Sequence, residues 1–232
     1  MRRITRHWKK WLVAAVAAAV VLAVGGPYVY INLIEDEPPS ALSLDEQTRE
    51  TGTAAGVADL NGTWKVAAGS QAGYRVGENL FGQRTTAVGR TRKVTGEAVI
   101  SGTRVTAGTW TVDLASVASD QSRRDERFRG DIMNTAQYPD ATFKLTAPID
   151  LGTAPPAVGA KITARATGNL TVHGTTRGVT FDVAAQRTAA GFQVTGQIPV
   201  TFSDFGVTAP NFGAIQVDKN GQVEFLLTFA KP

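Results

Sequence analysis

The sequence predicts an all-β domain: an antiparallel sheet of about eight strands, closed as a barrel or folded as a sandwich, with a membrane helix in front of it. Three observations predict this fold. Apolar and polar residues alternate with a period of two over most of the chain after residue 60. Stretches of helical period are nearly absent there, and glycine-containing turns recur at hairpin spacing. A sheet with one dry face removes its exposed edges by closing on itself or by packing on a second sheet.

The N-terminal segment predicts a membrane-spanning helix. Residues 1–10, MRRITRHWKK, carry five Lys or Arg residues, and residues 11–34 follow as 24 uncharged, mostly apolar residues. At about 1.5 Å per residue such a helix crosses a hydrocarbon core of about 30 Å. The basic flank predicts that the N-terminus stays in the cytoplasm and that the domain lies outside it. Aromatic residues typical of membrane interfaces stand near both ends of the apolar segment: Trp8, Trp11, Tyr28 and Tyr30.

A cleaved secretory signal is the alternative interpretation of this segment. Leu12–Val24 has the length of a signal's apolar core, about 7–15 residues, and Gly25–Pro27 would mark a break after it. The apolar character resumes at Ile31 and Leu33, which favours a retained anchor. Both interpretations place the domain outside the cytoplasm.

Residues 35–59 predict a flexible linker, because acidic and small residues leave too little apolar content for a core. The domain that follows, residues 60–232, carries 18 Lys or Arg and 13 Asp or Glu residues, a net charge of +5. This modest excess is not the charge signature of a nucleic-acid-binding domain.

The clearest predicted strand is GFQVTGQIPVTF, residues 191–202, in which every second residue from Phe192 is apolar or small. The same period places further residues on the inner face of the sheet. These are Trp110, Val112, Leu114, Ala141, Phe143, Leu145, Leu170, Val172, Val179, Phe181, Val183, Val223, Phe225, Leu227 and Phe229.

Small residues interrupt these inner faces, among them Ala164, Ala166, Gly168 and Gly196. They suit either close packing at the corners of a barrel or space left for a ligand. The residue pattern alone slightly favours close packing.

Residues 115–134 break the strand pattern and predict one or two short helices over one end of the sheet. The segment mixes four arginines with Asp125, Glu126 and Asp131 and then becomes apolar. Neighbouring arginines keep such carboxylates ionised, so they are poor proton shuttles at neutral pH.

The composition excludes several kinds of site. The chain has no cysteine, which excludes disulfides, thiol catalysis and thiolate metal sites, and its two histidines exclude a His-rich metal site. His173 precedes Gly174 at the end of a strand, where a turn histidine bonded to its neighbours is expected. An enzyme would need Asp125, Arg129 and His173 to converge in one pocket. No metal site is predicted.

Nucleic-acid binding has little support. The basic run at residues 84–93 is interpreted as a solvated strand face or turn. Acidic residues lie among the basic ones of the domain, and no aromatic stacking platform is evident in the sequence.

Five segments follow one another in an order that resembles the YceI-like family. They are GTWKVAAGSQAGYRV, TRKVTGEAVI, WTVDLASVASDQSRRDERFRGDIMNTAQYPDATF, GNLTVHGTTRGVTFDV and SDFGV. The resemblance covers nearly all of residues 60–231, and RRDERFRGD, YPDATF and LTVHGTTR are its most specific parts. The chain departs from the family at residues 77–82, GENLFG, where many relatives carry a histidine-containing segment.

The resemblance implies a lipocalin-like antiparallel β-barrel that binds a polyisoprenoid or an isoprenoid quinone in a long apolar cavity and is not an enzyme. It implies a polar mouth formed by Arg129 and His173. The cavity candidates are Trp110, Val112, Phe128, Ile132, Met133, Phe143, Leu170, Phe181, Phe192, Phe202 and Phe225. Residues that match the family's motif and are expected to support the architecture are Arg124, Asp125, Tyr138, Pro139, Gly174 and Asp204.

The leading hypothesis is therefore a membrane-tethered barrel outside the cytoplasm that holds a lipid. Its expected partners are that lipid and the membrane, with no nucleic acid, and a homodimer is left open. Two alternatives remain: an envelope enzyme acting on a small hydrophobic substrate through Asp125, Arg129 and His173, and an interaction module with a collapsed barrel and no ligand.

Overall fold

The computed structural model describes residues 38–44, 60–80, 82–154, 156–213 and 215–232, together with the helical positions 13, 15, 16 and 19 of the N-terminal segment. The predicted membrane helix over residues 11–34 lies outside the described residues apart from those four positions. Within the part of the chain that is described, no helix is both long and apolar enough to cross a membrane.

The described domain consists almost entirely of strands. They are β1 (Gly62–Val66), β2 (Gln71–Leu80), β3 (Gln83–Thr91), β4 (Val94–Ser101), β5 (Arg104–Asp113), β6 (Asp140–Leu145), β7 (Ile149–Asp150), β8 (Lys161–Val172), β9 (Thr175–Arg187), β10 (Gly191–Thr201), β11 (Asn211–Phe212) and β12 (Ile215–Ala230).

Eight of these strands close into a barrel in the order β1-β4-β5-β6-β8-β9-β10-β12, with β12 returning to β1. The closing pairs are Lys65 with Ala230 and Val66 with Phe229, and neighbouring strands run antiparallel. The predicted all-β fold, an antiparallel barrel of about eight strands, is confirmed.

The hairpin of β2 and β3 widens one half of this barrel. Only the last residues of the long strand β12 pair with β1, and its earlier part pairs with β2 from Ile215 to Leu226, with an irregularity between Val217 and Gly221. The barrel therefore has a closed half, completed by β1, and a wider half in which β2 and β3 are inserted.

A short helical segment completes the wall of the wider half. Near the end of β3, Arg90 exchanges two backbone hydrogen bonds, of 2.8 and 3.0 Å, with Ala118 from the loop before the helix. The chain then forms one α-helix, α1 (Ser122–Arg127), continued by a π-helix (Phe128–Ile132). The Ser119 amide and hydroxyl both donate to Asp125 Oδ1, at 2.9 and 2.7 Å, which fixes the start of α1 to the preceding loop. The prediction of short helical structure over one end of the barrel is confirmed.

Aromatic rings pack directly on the inward-facing glycines of the barrel. A Cβ at Gly168 would stand 2.3 Å from Phe143 Cζ, and one at Gly196 would stand 2.7 Å from Phe225 Cζ. Since real Cβ contacts are not this short, these rings need glycine beneath them. Three more inward rings lie on glycines in the same way: Tyr74 on Gly89, Trp110 on Gly108 and Phe202 on Gly221. Close packing thus explains these positions, and it holds the rings against the wall of the barrel.

The outer face of the barrel carries a buried ion cluster. The Glu224 side chain is completely buried and accepts from Arg75 Nε at 3.1 Å and from the Arg90 guanidinium at 2.7 Å. The same two arginines donate to the carbonyls of Pro39 and Ser40.

Residues 38–44 therefore lie against the barrel, although the sequence predicts them as part of a flexible linker. The Thr195 hydroxyl donates to the Leu42 carbonyl at 3.0 Å, and the Leu44 side chain is buried. The rest of the predicted linker over residues 35–59 lies outside the described residues.

Candidate functional site

Within the described residues, two cavities of very different size lie in the barrel interior. The larger, here called the upper chamber, has a volume of about 940 Å³ and lies in the wider half under α1 and the π-helix. The smaller, the lower chamber, has a volume of about 160 Å³ and lies in the closed half. Cavities that hold small molecules have volumes of about 300–1,000 Å³, so the upper chamber is the candidate site.

The upper chamber is walled mainly by aliphatic and aromatic side chains from opposite sides of the barrel. Strand β2 contributes Val76 and Leu80, and the helical segment contributes Phe128, Ile132 and Met133. Inward residues of β2 and of the helical segment face the cavity because the strand alternates with period two and the helix presents one side to the barrel. The wall is therefore suited to an apolar chain.

The polar lining of the upper chamber is concentrated at the end under α1. Arg124 Nη2 lies 3.2 Å from Glu78 Oε1, and the Arg124 guanidinium also pairs with Asp120. Glu78 is buried although it is a carboxylate, and Arg124 from the helical segment supplies its counter-ion. Burial lowers the pKa of Arg124, but the negative charges of Glu78 and Asp120 outweigh burial. The net effect is a pKa above the ordinary value for arginine.

Tyr74 stands beside this ion pair. Its ring stacks on Phe128, with centroids 5.1 Å apart and an angle of 17° between the ring planes. Burial raises the pKa of Tyr74 to about 12; the charge of Arg124 lowers it, and those of Asp125, Glu78 and Asp120 raise it. The phenol therefore stays protonated at neutral pH and can donate a hydrogen bond within the chamber.

The lower chamber differs in chemistry as well as in size, because its walls are almost entirely apolar. A chain of ring contacts runs along its wall: Trp110 with Phe143, Phe143 with Phe181 and Phe181 with Phe225, at centroid distances of 5.7, 5.4 and 6.0 Å. Trp110 Nε1 is buried and has no hydrogen-bond partner among the described residues. Among the described residues, charged side chains line the upper chamber and none lines the lower one.

The structure places all eleven predicted cavity residues on the wall of one chamber or both. Phe128, Ile132, Met133 and Phe202 line the upper chamber, and Trp110, Phe143, Phe181, Phe192 and Phe225 line the lower one, while Val112 and Leu170 line both. Contact of these residues with a ligand remains a prediction.

The two residues predicted for the polar mouth, Arg129 and His173, line neither chamber. His173 has φ of +49° in the turn before Gly174, and its ring packs edge-to-face on Tyr138 with centroids 4.7 Å apart. Arg129 lies in the π-helix, where its carbonyl accepts from the Thr135 amide at 2.8 Å. The polar lining comes from other residues, among them Tyr74, Glu78, Arg123, Arg124 and Arg127.

The residues of the enzyme alternative are not brought together around a cavity. Asp125 accepts from Ser119, His173 packs on Tyr138, and neither these two nor Arg129 line the upper or the lower chamber. In the described part of the chain no cluster of three or more His, Asp or Glu residues is arranged to hold a metal ion.

The predicted architectural residues make contacts within the fold. Tyr138 lies over Gly174, where a Cβ would stand 2.6 Å from Tyr138 Cε1. The Pro139 carbonyl accepts from the Leu114 amide at 2.8 Å, and the Asp204 carbonyl accepts from Arg177 Nε at 2.8 Å. Asp125 fixes the start of α1, whereas Arg124 has the additional role of lining the upper chamber.

The sequence analysis missed Tyr74 and Glu78 as residues of the site. The signal for them was present in β2, where residues 74, 76, 78 and 80 alternate with 75, 77 and 79 and therefore share the inward face. A carboxylate at an inward position of such a strand is unusual and predicts a buried partner.

Comparison with known proteins agrees with this architecture. The family model of the YceI-like domain matches residues 64–229. A polyisoprenoid binding domain from Saccharophagus degradans, described as implicated in plant cell wall breakdown, has a TM-score of 0.58 at 20% identity, over 73% of this chain and 98% of its own. BcnA of Burkholderia cenocepacia has a TM-score of 0.54 at 22% identity, over 72% of this chain and 99% of its own. Both show the same fold.

One curated relative is similar in sequence over a shorter stretch. A UPF0312 protein of Vibrio parahaemolyticus is 36% identical over 72 residues, which are 31% of this chain and 34% of that protein. The match thus spans about a third of the relative.

Proposed function

The chain belongs to the YceI-like family, and on that premise we propose that it binds a long apolar lipid, such as a polyisoprenoid or an isoprenoid quinone, in the barrel interior. The observation that carries this proposal is the upper chamber: about 940 Å³ of largely apolar space with its hydrogen-bonding groups gathered at one end. The description of the Saccharophagus domain as polyisoprenoid binding supports the same class of ligand.

The energetics favour a ligand with a long hydrocarbon chain. Each buried CH₂ group contributes about 0.8 kcal/mol, so a chain of several isoprene units would bind tightly by its tail alone. Tyr74 can donate a hydrogen bond to an oxygen of the headgroup, and Arg124 is close to it in the same chamber. The head would then determine orientation, and the tail would supply most of the affinity.

We also propose that the barrel works outside the cytoplasm while tethered to the membrane. The basic residues 1–10 and the apolar residues 11–34 support this location. A tethered barrel meets membrane lipids at a high effective concentration, which suits a protein that takes up or delivers a lipid.

Native mass spectrometry of the full-length chain, released from detergent, tests lipid binding. We expect a bound species whose mass corresponds to a prenyl lipid, taken up either during expression or on incubation with geranylgeraniol. Ala87→Phe should abolish the bound species because Ala87 lines the upper chamber, whereas Ala107→Phe on the exposed side of β5 should not. A folded chain that retains no prenyl lipid under any of these conditions would contradict the proposal.

A further inference from the structure

Residues 38–44 are docked on the outer face of the barrel and are called the strap below. The Pro39 carbonyl accepts a hydrogen bond from the Arg75 guanidinium. The Ser40 carbonyl accepts one from the Arg90 guanidinium. Both arginines are also bonded to the buried carboxylate of the ion cluster, which fixes their position. Because hydrogen bonds from ionised donors are stronger than neutral ones, the start of the strap is firmly held.

The strap crosses strand β12. Its Leu42 carbonyl accepts from the Thr195 hydroxyl of β10 at 3.0 Å, whereas Arg75 belongs to β2. Strand β12 lies between β10 and β2 in the sheet, so a segment bonded to both of them passes over it. Leu226 of β12 pairs with Thr195 and is only 8% exposed, although alternation places it on the outer face. The Leu44 side chain at the end of the strap is buried as well, so apolar burial accompanies the hydrogen bonds.

The composition of the strap suits this docking. Proline has a fixed φ and restricts the residue before it to extended conformations. Pro38 and Pro39 therefore lose little conformational freedom when the strap docks. The strap precedes residues 64–229, which the family model matches, so its docking is a feature of this chain that the family match does not describe.

Docking shortens the tether between the barrel and the membrane. Without it, the 26 steps from residue 34, where the predicted membrane span ends, to residue 60 reach about 90 Å at about 3.5 Å per residue. With the strap docked, the four steps from residue 34 to residue 38 reach only about 14 Å. The end of the span then lies within that distance of the start of the strap.

This short distance determines which side of the barrel meets the membrane. The strap begins over β2 and β3, the hairpin that widens the barrel around the upper chamber. Arg90 of β3 is bonded to Ala118 in the loop before α1, so the helical segment adjoins the same side. Strand β6 stands on the opposite side, four strands from β12 in either direction around the closed barrel. The wider half is therefore near the membrane, and β6 is far from it.

We infer that the strap holds the wider half of the barrel against the lipid bilayer, so that the outer face of β2 and β3 is the side that meets the membrane surface. This inference rests on the proposed tethering and adds a fixed orientation to it. The upper chamber then lies close to the lipids of the membrane, and the barrel cannot turn away from the bilayer as a freely linked domain can.

The first experiment measures which side of the barrel is near the bilayer. The chain has no cysteine, so a single fluorophore can be attached at a chosen position of the full-length chain. Arg92→Cys places it just after β3, and Lys144→Cys places it on the outer face of β6; both positions are exposed. In nanodiscs that contain lipids with nitroxide-labelled headgroups, the label at position 92 should be quenched strongly and the label at position 144 weakly.

Insertions on the two sides of the strap test its role in this difference. A flexible insertion of about 20 Gly and Ser residues spans about 25 Å on average. Placed between residues 36 and 37, it should abolish the difference between the labels, because the barrel can then turn. Placed between residues 51 and 52, it should leave the difference unchanged, because it only lengthens the loop that follows the docked strap. Equal effects of the two insertions would overturn the inference, since an undocked linker responds alike at both positions.

The second experiment releases the strap by a point substitution. Leu44→Asp places a charge at a buried position of the strap and should abolish the difference between the labels, as the insertion before the strap does. Ser43→Asp is the matched control, because it introduces the same side chain at an exposed neighbouring position, and it should preserve the difference. An identical result for the two variants would overturn the role of the strap. If Leu44→Asp does not fold, the two insertions decide alone.

The outcomes separate this inference from the proposed function. A chain that does not stay in the nanodiscs contradicts the tethering, and the inference fails with it. A chain that stays there and is quenched equally at positions 92 and 144 leaves the tethering intact and contradicts only the fixed orientation. Lipid binding in the barrel interior is tested separately by mass spectrometry and does not depend on either result.

Discussion

The ring of Phe143 lies on Gly168 of the neighbouring strand, so that a Cβ at position 168 would stand 2.3 Å from Phe143 Cζ and 2.5 Å from the Lys144 carbonyl oxygen. One of these neighbours is the end of a buried ring, and the other is backbone, so neither can give way easily. Gly168 thus lets β6 and β8 pair closely while a full aromatic ring stays against the inner wall.

Gly168→Ala should therefore destabilise the barrel. We expect a loss of about 1–3 kcal/mol in the free energy of unfolding, as for other overpacked interior positions. The control is Gly178→Ala on β9, where the nearest atom to an added Cβ, Asn169 Oδ1, is 3.9 Å away. Urea denaturation measures both variants, and equal midpoints would show that the ring and the backbone adjust without strain.

The buried ion cluster around Glu224 predicts that a single substitution from carboxylate to amide there strongly destabilises the fold. Glu224→Gln keeps the shape of the side chain but leaves the charges of Arg75 and Arg90 without their carboxylate. Removing one partner of a buried ion pair costs about 3–5 kcal/mol, so this variant should unfold at a much lower urea concentration.

The matched control is Asp182→Asn, which also replaces a carboxylate by its amide. Asp182 lies 4.0 Å from Arg165, and both side chains are exposed. Such surface pairs contribute little, so this variant should resemble the wild type. A similar effect of the two substitutions would mean that burial of Glu224 does not strengthen its ion pairs.

The interior face of the barrel was predictable because it depends on local geometry. Side chains alternate along any strand, so the period-two pattern placed Phe192, Phe202 and Phe225 inward without knowledge of which strands pair. Division of the interior into two chambers was not predictable in this way. It arises because β2 pairs with one part of β12 and β1 with another, and the register shift between Val217 and Gly221 is not visible in the sequence.

The buried charges were missed for a related reason. Alternation puts Glu224 on the outer face, where burial is not expected. It puts Glu78 on the inner face, which predicts a buried partner but not which residue supplies it. Glu78 meets Arg124, which is 46 residues away in the chain. Glu224 meets Arg75, 149 residues away, and the segment 38–44 covers that arginine. Contacts between such distant residues follow from the closed topology and not from any local pattern.

The pKa of Tyr74 predicts a loss of stability at alkaline pH. In the folded chain this pKa is raised from 10.0 to about 12, chiefly by burial, so the folded state resists ionisation of the phenol. Below pH 10 the phenol is protonated in both the folded and the unfolded state, and the chain keeps its full free energy of unfolding. As the pH rises from about 10 through 12, the phenol ionises more readily in the unfolded state, so the free energy of unfolding falls. A shift of about two pKa units corresponds to about 2–3 kcal/mol.

Tyr74→Phe should flatten this part of the stability profile, since the variant has no phenol to ionise at that position. Urea denaturation between pH 9 and pH 11.5 measures the slope for both proteins, and phenolate absorbance should show one late-titrating tyrosine fewer in the variant. An unchanged slope would mean that Tyr74 ionises as readily in the folded chain as in the unfolded one.

The Tyr74 hydroxyl also predicts how a headgroup is held, on the premise of the proposed lipid function. Tyr74→Phe keeps the ring that stacks on Phe128 and removes the donor. A neutral hydrogen bond contributes about 0.5–1.5 kcal/mol, so affinity for geranylgeraniol should fall about two- to tenfold. Affinity for the hydrocarbon of the same tail, which carries no hydroxyl, should stay the same, and competition in native mass spectrometry measures both. An equal loss for the two ligands would assign Tyr74 to the shape of the chamber, because only a hydrogen bond to the head distinguishes them.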